Sequence, residues 1–170
     1  FDTGDAQGMN MIVKATDQAC RWIMSAFPAE SYFQFSGMCS EKRPSGYLLT
    51  RGKGKSVTAG AFLPEAILKS YLHCSAQQLY NVWHSTLVGH LSANAVGYNA
   101  QFANGLTAMF IATGQDVANV VNSACGITSF ELVEGGLYVS LTLPALSVAT
   151  VGGGTGLGTQ RECLEMLGCY

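Results

Sequence analysis

The sequence has little charge and lacks the long runs that mark several protein classes. Only 12% of its 170 residues are Asp, Glu, Lys or Arg, which is about half of the usual share in a globular domain. A net charge of −2 gives no basic excess for nucleic acid. No apolar run reaches the roughly 18 residues of a membrane span, and no signal peptide opens the chain. Nucleic-acid binding is therefore not expected.

Metal motifs and a disulfide framework are also absent. None of the six cysteines forms a C-x-x-C pair, and His73, His84 and His90 show no ligand spacing with cysteine. We therefore expect reduced thiols and no metal site. The chain opens on Phe1 and stops just past an expected helix, so we expect a fragment of a longer protein. Its 48% of hydrophobic residues predicts a large core and apolar surface that partners or other segments cover.

Hydrophobic periodicity predicts an α+β fold, because helices and strands mix without a regular βαβ alternation. A helix is expected from Met9 until Pro28 closes it, and another begins with Pro64 in its first turn. Further helical segments are expected over residues 76–83, 86–93 and 160–167. Strands are expected over residues 32–36, 57–62 and 137–143, the last of which Pro144 ends.

The chain is organised around the stretch 97–116. Asn99 can cap a helix there, the following residues are apolar on nearly every side, and Gly114 can end it. A helix that is apolar all round is expected inside a protein. Asp116 follows, and two interpretations stay open. It can be a buried carboxylate that holds a proton near neutral pH, or it can simply cap the next helix near Val117.

Three other stretches carry possible chemistry. Residues 4–11 place Gly8 and backbone N–H groups at a helix start, which suits a phosphate, although the pattern alone is weak. Residues 151–155 form a glycine turn that can admit a planar or anionic group or serve as a flexible link. Residues 41–44 and 51–55 contain five cations. They can form a solvated charged face, or Lys42 among them can stabilise a substrate oxyanion.

In this order, and at nearly the right intervals, these stretches resemble the 3-hydroxy-3-methylglutaryl-CoA (HMG-CoA) reductases, specifically the eukaryotic class that uses NADPH. One such motif is weak, but the ordered set is specific and runs the length of the chain. The matching segments are residues 4–11, 41–44, 51–56, 87–89, 97–104, 114–116, 150–155 and 163–168.

The resemblance implies reduction of HMG-CoA to mevalonate and CoA, consuming two NADPH, in isoprenoid and sterol synthesis. It also implies a ferredoxin-like nucleotide-binding subdomain inserted in a larger substrate domain with a central buried helix. Residues 1–35 would be the end of the small domain, and residues 36–170 part of the large one. The parent would be a dimer or tetramer, anchored in the endoplasmic reticulum membrane by segments outside this chain, with the catalytic part in the cytosol and this fragment soluble.

The resemblance also implies roles for individual residues. Lys42 would polarise the thioester and aldehyde oxygen, and Asp116 would tune the proton of that lysine. The substrate-contacting residues would be Ser36, Glu41, Arg43 and Asn104. The residues that contact the cofactor would be Asp5, Gly8, Met9, Asn10, Gly152 and Gly153. The catalytic glutamate and histidine of the family would lie outside this chain, so we expect the isolated fragment to be inactive.

The sequence departs from the family pattern at several positions. Gln7 replaces Met, Glu41 replaces Asp and Gln101 replaces His. Ser85 stands where a lysine pairs with the substrate carboxylate, and Leu48-Leu49 replaces Asn-Trp. The loop between Glu131 and Leu137 is shorter. These departures motivate an alternative: a non-catalytic relative that binds only nucleotide or acyl-CoA. A third interpretation, in which the motifs only build a core, leaves the ordered match unexplained.

Overall fold

A computed structural model of the chain describes residues 8–34 and 44–169. The chain divides into two compact units, Phe1–Cys39 and Ser40–Tyr170. The structure is α+β, with seven α-helices and one three-stranded antiparallel sheet in the described residues. In this part of the chain no helix has the length and apolar character to cross a membrane.

The first unit contains helix α1, Met9–Ala26, which has Phe27 as its C-cap just before Pro28, as predicted. None of its residues is buried. The expected strand over residues 32–36 is wrong over its described part, residues 32–34, which is not extended in a sheet. Instead, the Tyr32 hydroxyl donates to Asp17 at 2.6 Å and the Gln34 amide donates to the same carboxylate oxygen at 3.1 Å. These bonds hold the segment against α1, and they lower the pKa of Asp17, with the Tyr32 hydroxyl as the largest cause.

The second unit is built on a sheet of order β1-β3-β2. Its strands are β1 Lys55–Pro64, β2 Ile127–Val133 and β3 Gly136–Leu146. The alternation in residues 137–143 correctly predicts β3, since Leu137 and Leu143 are both buried. We did not predict β2. It joins β3 through a two-residue turn, Glu134–Gly135, in which Gly135 has a φ of 80°.

Strand β3 continues past Pro144, so the prediction that proline ends it is wrong. Between the pairs Lys55↔Leu146 and Val57↔Leu143, β3 has one residue more than β1. Pro144 and Ala145 therefore lie in a bulge opposite Ser56, where the missing N–H of proline breaks no ladder bond. On the other side, pairing with β2 stops at Thr142. The bulge lets the strand carry Ala145 into the core.

Six further helices complete the second unit. They are α2 Leu48–Arg51, α3 Glu65–Ile67, α4 Ala76–Ser92, α5 Phe102–Ala112, α6 Val120–Ser123 and α7 Gly158–Met166. A π-helical turn, Leu68–Leu72, follows α3. Helix α4 is continuous rather than two segments. The Thr86 hydroxyl lies within it and donates to the Val82 and Trp83 carbonyls at 2.8 and 2.9 Å.

Two apolar clusters hold the second unit together. Leu68, Ala76 and Leu137 are buried between α4 and the sheet, where the rings of Trp83 and Phe130 stack at 5.7 Å. A smaller cluster joins Leu48 of α2, Cys125 and Ala145 of the β3 bulge. Burial raises the pKa of the Cys125 thiol, which favours the unreactive neutral form. All five cysteines in the described ranges are free thiols.

The central helix is not buried on all sides, and the expectation of an interior helix is wrong for this chain. Within α5 only Phe110 is buried, whereas Met109 and Ile111 are 51% and 59% exposed. Only one side of α5 packs, against α6 and α7. The Asn99 side chain does accept a hydrogen bond from the first helical N–H, that of Phe102, at 3.1 Å. The apolar periodicity therefore indicates burial that this chain does not itself supply.

The start of α4 gives a pH-dependent prediction. A Glu65 carboxylate oxygen accepts the Ala76 N–H at 2.9 Å, and this bond, with a smaller effect of Lys69, lowers the pKa of Glu65. A lowered pKa adds stability above the unfolded-state pKa, near 4.5, and that stability is lost as the pH falls through the folded-state value. We expect Glu65→Gln to lower the melting temperature at pH 7, and we expect this difference to shrink as the pH falls below 4.5. Melting curves across this range check it; a pH-independent difference would contradict the ionic interpretation.

Candidate functional site

The described candidate residues belong to two groups. Gly8, Met9 and Asn10 are in the first unit, and Asn104, Asp116, Gly152 and Gly153 are in the second. Gly8 is the extended residue before α1, and Met9 and Asn10 begin the helix, as predicted. Five candidates lie outside the described residues: Asp5, Ser36, Glu41, Lys42 and Arg43. The geometry of the site is therefore that of the second group.

Asp116 begins the short 3-10 helix Val117–Asn119. Its carboxylate accepts the Ala118 N–H at 3.0 Å, which confirms the capping interpretation. The side chain is exposed, so the expectation of a buried carboxylate is wrong for this chain. The cap fixes the rotamer of Asp116, because one carboxylate oxygen is held by the backbone. The structure thus presents an oriented carboxylate at the surface of the second unit.

The backbone of Gly114 contacts the glycine turn at residues 150–155. The Gly154 N–H donates to the Gly114 carbonyl at 3.1 Å. Gly114 has a φ of 71°, and a Cβ there would collide with the backbone of Gly154. Both features require glycine, which also ends α5 as predicted. Two motifs about 40 residues apart in the chain are therefore in direct contact, two residues from Asp116.

Gln115 fastens the segment that leads into the glycine turn. Its side-chain oxygen accepts the Ala149 N–H, and its side-chain nitrogen donates to the Ala149 carbonyl, both at 2.9 Å. Further back, Asn122 donates to the Ser147 hydroxyl at 3.0 Å, and the Ser123 hydroxyl accepts the Ser147 N–H at 3.1 Å. The sequence analysis missed all of these residues. The only signal was the position of Gln115 inside the 114–116 motif.

The glycine turn itself needs its glycines. Gly152 and Gly153 have φ values of 96° and 57°, and both are exposed. Thr155 is buried, and its hydroxyl donates to the Gly152 carbonyl at 2.7 Å, which closes the turn. The turn is therefore a fixed structure rather than a flexible link. Its side-chain-free backbone can approach a planar or anionic group closely.

The structure does not bring Asn104 to the same place as Asp116. Asn104 lies in the first turn of α5, and Asp116 lies beyond the end of that helix. The eight residues from Asn104 to Ala112 alone span about 12 Å of helix. Both side chains are exposed. A ligand that contacts both would have to extend along α5.

A separate groove of about 160 Å³ lies between α4, β2 and the segment before α5. Leu87, Trp83 and Phe130 supply much of its apolar wall, and His90 and Gln101 supply polar groups. Gln101, one of the departures from the resemblance noted above, therefore lies in the wall of this groove. No group of three or more His, Cys, Asp or Glu residues that could hold a metal occurs in the described ranges.

Comparison with known proteins gives one consistent family. The sequence model described as hydroxymethylglutaryl-coenzyme A reductase matches residues 1–170. The protein named 3-hydroxy-3-methylglutaryl-coenzyme A reductase in Methanocaldococcus jannaschii is 46% identical over 100% of this chain and 44% of its own length. The protein of the same name in Pyrococcus horikoshii is 42% identical over 99% of this chain and 41% of its own length. The Schistosoma mansoni protein of that name is 44% identical over 97% of this chain and 18% of its own length. The chain spans less than half of the length of these relatives.

Proposed function

The chain belongs to the hydroxymethylglutaryl-coenzyme A reductase family, and on this premise we propose that its full-length protein reduces HMG-CoA to mevalonate and CoA with NADPH, as a step of isoprenoid synthesis. The observation that carries the proposal is the contact between the 114–116 segment and the glycine turn. This contact holds an oriented carboxylate beside a backbone surface open to a planar ring. A group that manages a proton and a surface that admits a nicotinamide ring are both of use to an enzyme that transfers hydride to a carbonyl carbon.

In this proposal Asp116 adjusts the proton of Lys42, and the Lys42 ammonium stabilises the alkoxide that forms as hydride reaches the thioester or aldehyde carbon. Gly152 and Gly153 admit the nicotinamide end of NADPH. Asp5, Gly8, Met9 and Asn10 contact the rest of the dinucleotide. Ser36, Glu41, Arg43 and Asn104 contact the hydroxymethylglutaryl group.

The proposal extends to the organisation of the parent protein. Residues 1–35 are the end of a ferredoxin-like nucleotide-binding subdomain, and residues 36–170 are part of the substrate domain. The exposed apolar residues of α5 fit a protein whose other segments and subunits cover this helix in a dimer or tetramer. Anchoring in the endoplasmic reticulum membrane, through segments outside this chain, is also part of the proposal, as is a role in sterol synthesis.

A second candidate function is binding without catalysis. Ser85 on α4 is exposed and carries no charge, so it cannot replace a lysine opposite a substrate carboxylate. Loss of one such charge-assisted contact costs about 1.5–3 kcal/mol. This candidate predicts that the full-length protein binds NADPH or acyl-CoA without consuming either.

One assay separates the two functions. We expect the full-length protein to oxidise NADPH only when HMG-CoA is present and to release mevalonate and free CoA, measured by NADPH absorbance and product chromatography. The isolated chain should show no turnover, because two catalytic groups expected from the family lie outside it. Binding of NADPH to the full-length protein without turnover would favour the non-catalytic alternative, and clear turnover by the isolated chain would contradict our assignment of the missing groups.

A further inference from the structure

Two buried polar side chains behind the glycine turn have no role in the function proposed above. Asn122 and Ser123 form the end of α6, and only 3% and 0% of their surfaces are exposed. Burying a polar side chain is costly unless it finds hydrogen-bond partners. The partners of these two side chains therefore show what they hold in place.

Both side chains bond to the segment that leaves strand β3. The Ser123 hydroxyl accepts the Ser147 N–H at 3.1 Å. The Asn122 side-chain nitrogen donates to the Ser147 hydroxyl at 3.0 Å and to the Ala145 carbonyl at 3.3 Å. Pairing of β3 with β1 ends at Leu146. Ser147 is thus the first residue after the strand, and the side chains of α6 fix its backbone in place of a neighbouring strand.

The other attachments of the glycine turn come from the same part of the chain. Gln115 bonds both backbone groups of Ala149, and the Gly114 carbonyl accepts the Gly154 N–H. Each of the bonds described thus reaches back to residues 114–123, which we call the turn support. The turn support also contains the oriented carboxylate of the candidate site. One short stretch therefore positions both that carboxylate and the glycine turn.

The bond between Ser123 and Ser147 fixes the direction in which the chain enters the glycine turn. Ser147 lies three residues before the turn at residues 150–155 and is half-buried. Without the Ser123 hydroxyl, the Ser147 N–H would have to stay unpaired or turn toward water. Gln115 alone would then hold this side of the turn. The exposed backbone of the turn would therefore lose its defined orientation.

We propose that Ser123, together with Asn122, is a positioning residue for the nicotinamide ring of NADPH. This inference rests on the proposed function, in which Gly152 and Gly153 admit that ring. Because Ser123 is fully buried, it acts only through the backbone of Ser147 and not by contact with the cofactor. A preformed turn loses little conformational entropy when the ring binds, and a displaced turn binds the ring less well.

The test measures NADPH binding and turnover in the full-length protein. Ser123→Ala removes the hydroxyl oxygen that accepts the Ser147 N–H and adds no bulk. We expect the dissociation constant and the KM for NADPH to rise about tenfold, with the KM for HMG-CoA unchanged. Fluorescence titration gives the dissociation constant, and initial rates give both KM values. A merely structural role would lower the melting temperature without raising the KM for one substrate only.

Ser147→Ala is the second variant, and it carries the test if Ser123→Ala does not fold. It removes the hydroxyl that accepts from Asn122 and keeps the backbone N–H that donates to Ser123. Since one of the two attachments remains, the dissociation constant for NADPH should rise less, about threefold. The KM for HMG-CoA should again stay unchanged.

The matched control is Leu68→Val, which trims a fully buried side chain in the apolar cluster between α4 and the sheet. That cluster includes no residue of the turn support. The control should lower the melting temperature and leave NADPH binding unchanged. An equal loss of NADPH affinity in the control and in Ser123→Ala would overturn the proposal, because general destabilisation would then explain it.

Two other results would also overturn the proposal: unchanged NADPH binding in both serine variants, or an equal loss of affinity for NADPH and HMG-CoA. The proposed function can fail separately. If the unaltered protein binds NADPH without reducing HMG-CoA, the reductase function is wrong, and the titration still decides the role of Ser123. If the unaltered protein binds no NADPH, both proposals are wrong.

Discussion

Replacing Asp116 with asparagine should lower kcat of the full-length protein by about a hundredfold or more while leaving its folding intact. Asparagine is as good an N-cap as aspartate, so it can still accept the Ala118 N–H that the carboxylate accepts now. What it loses is the negative charge proposed to adjust the Lys42 proton. The measurement is NADPH oxidation at saturating HMG-CoA, with a melting curve for each variant.

Two further variants show whether the charge or the cap matters. Asp116→Ala removes both and should lower kcat and the melting temperature together. Lys42→Ala should reduce kcat about as much as Asp116→Asn, and the double variant should be little worse than either, because residues that act as a unit are not additive. If Asp116→Asn turns over normally and only Asp116→Ala is impaired, Asp116 is a helix cap and nothing more.

Replacing Gly114 with alanine should lower the stability by about 3 kcal/mol. The φ of 71° disfavours any residue with a Cβ, and that Cβ would also collide with the Gly154 backbone. The contact between the 114–116 segment and the glycine turn would open, so turnover should fall as well. Denaturant unfolding of the full-length protein measures the first effect, and the NADPH assay measures the second.

Gly105→Ala is the control for this prediction, since it makes the same chemical change inside α5, the helix that Gly114 ends. Gly105 has an ordinary helical backbone, and nothing lies within 4 Å of a Cβ built there. Alanine at this position meets no atom of this chain and should therefore cost much less stability than Gly114→Ala. An equal loss of stability in both variants would mean that the Gly154 contact is not what Gly114 provides.

The features that follow from local chemistry could be predicted from the sequence. Helix α1 and its end before Pro28, the glycine stop at Gly114 and the cap at Asp116 depend on neighbouring residues only. Strand β3 was predicted from its alternation, but its continuation through Pro144 was not, because the bulge depends on the register with β1. Strand β2 was missed for a similar reason: it is defined by its pairing with β3, and its own sequence alternates poorly.

In the candidate site, too, local features could be predicted and long-range contacts could not. The positive φ values of Gly152 and Gly153 agree with a glycine turn expected from composition. The contact of this turn with Gly114, and the bonds of Gln115 and Ser123 to distant backbone, join residues more than 20 positions apart, and no periodicity reports such pairs. The burial of α5 was overestimated because an apolar sequence indicates that a helix is covered, but it does not say whether this chain or another segment covers it.

The paired bonds between Gln115 and Ala149 limit which residues position 115 can accept. The side-chain amide offers one acceptor and one donor to the N–H and C=O of a single residue, in the way that a neighbouring peptide group would in a sheet. Glutamate has nearly the same shape, but its carboxylate would turn an oxygen toward the Ala149 carbonyl. Asparagine is one methylene too short to reach. A mutational scan of this motif should therefore find position 115 intolerant of even the most conservative exchanges, although the glutamine contacts no reacting atom.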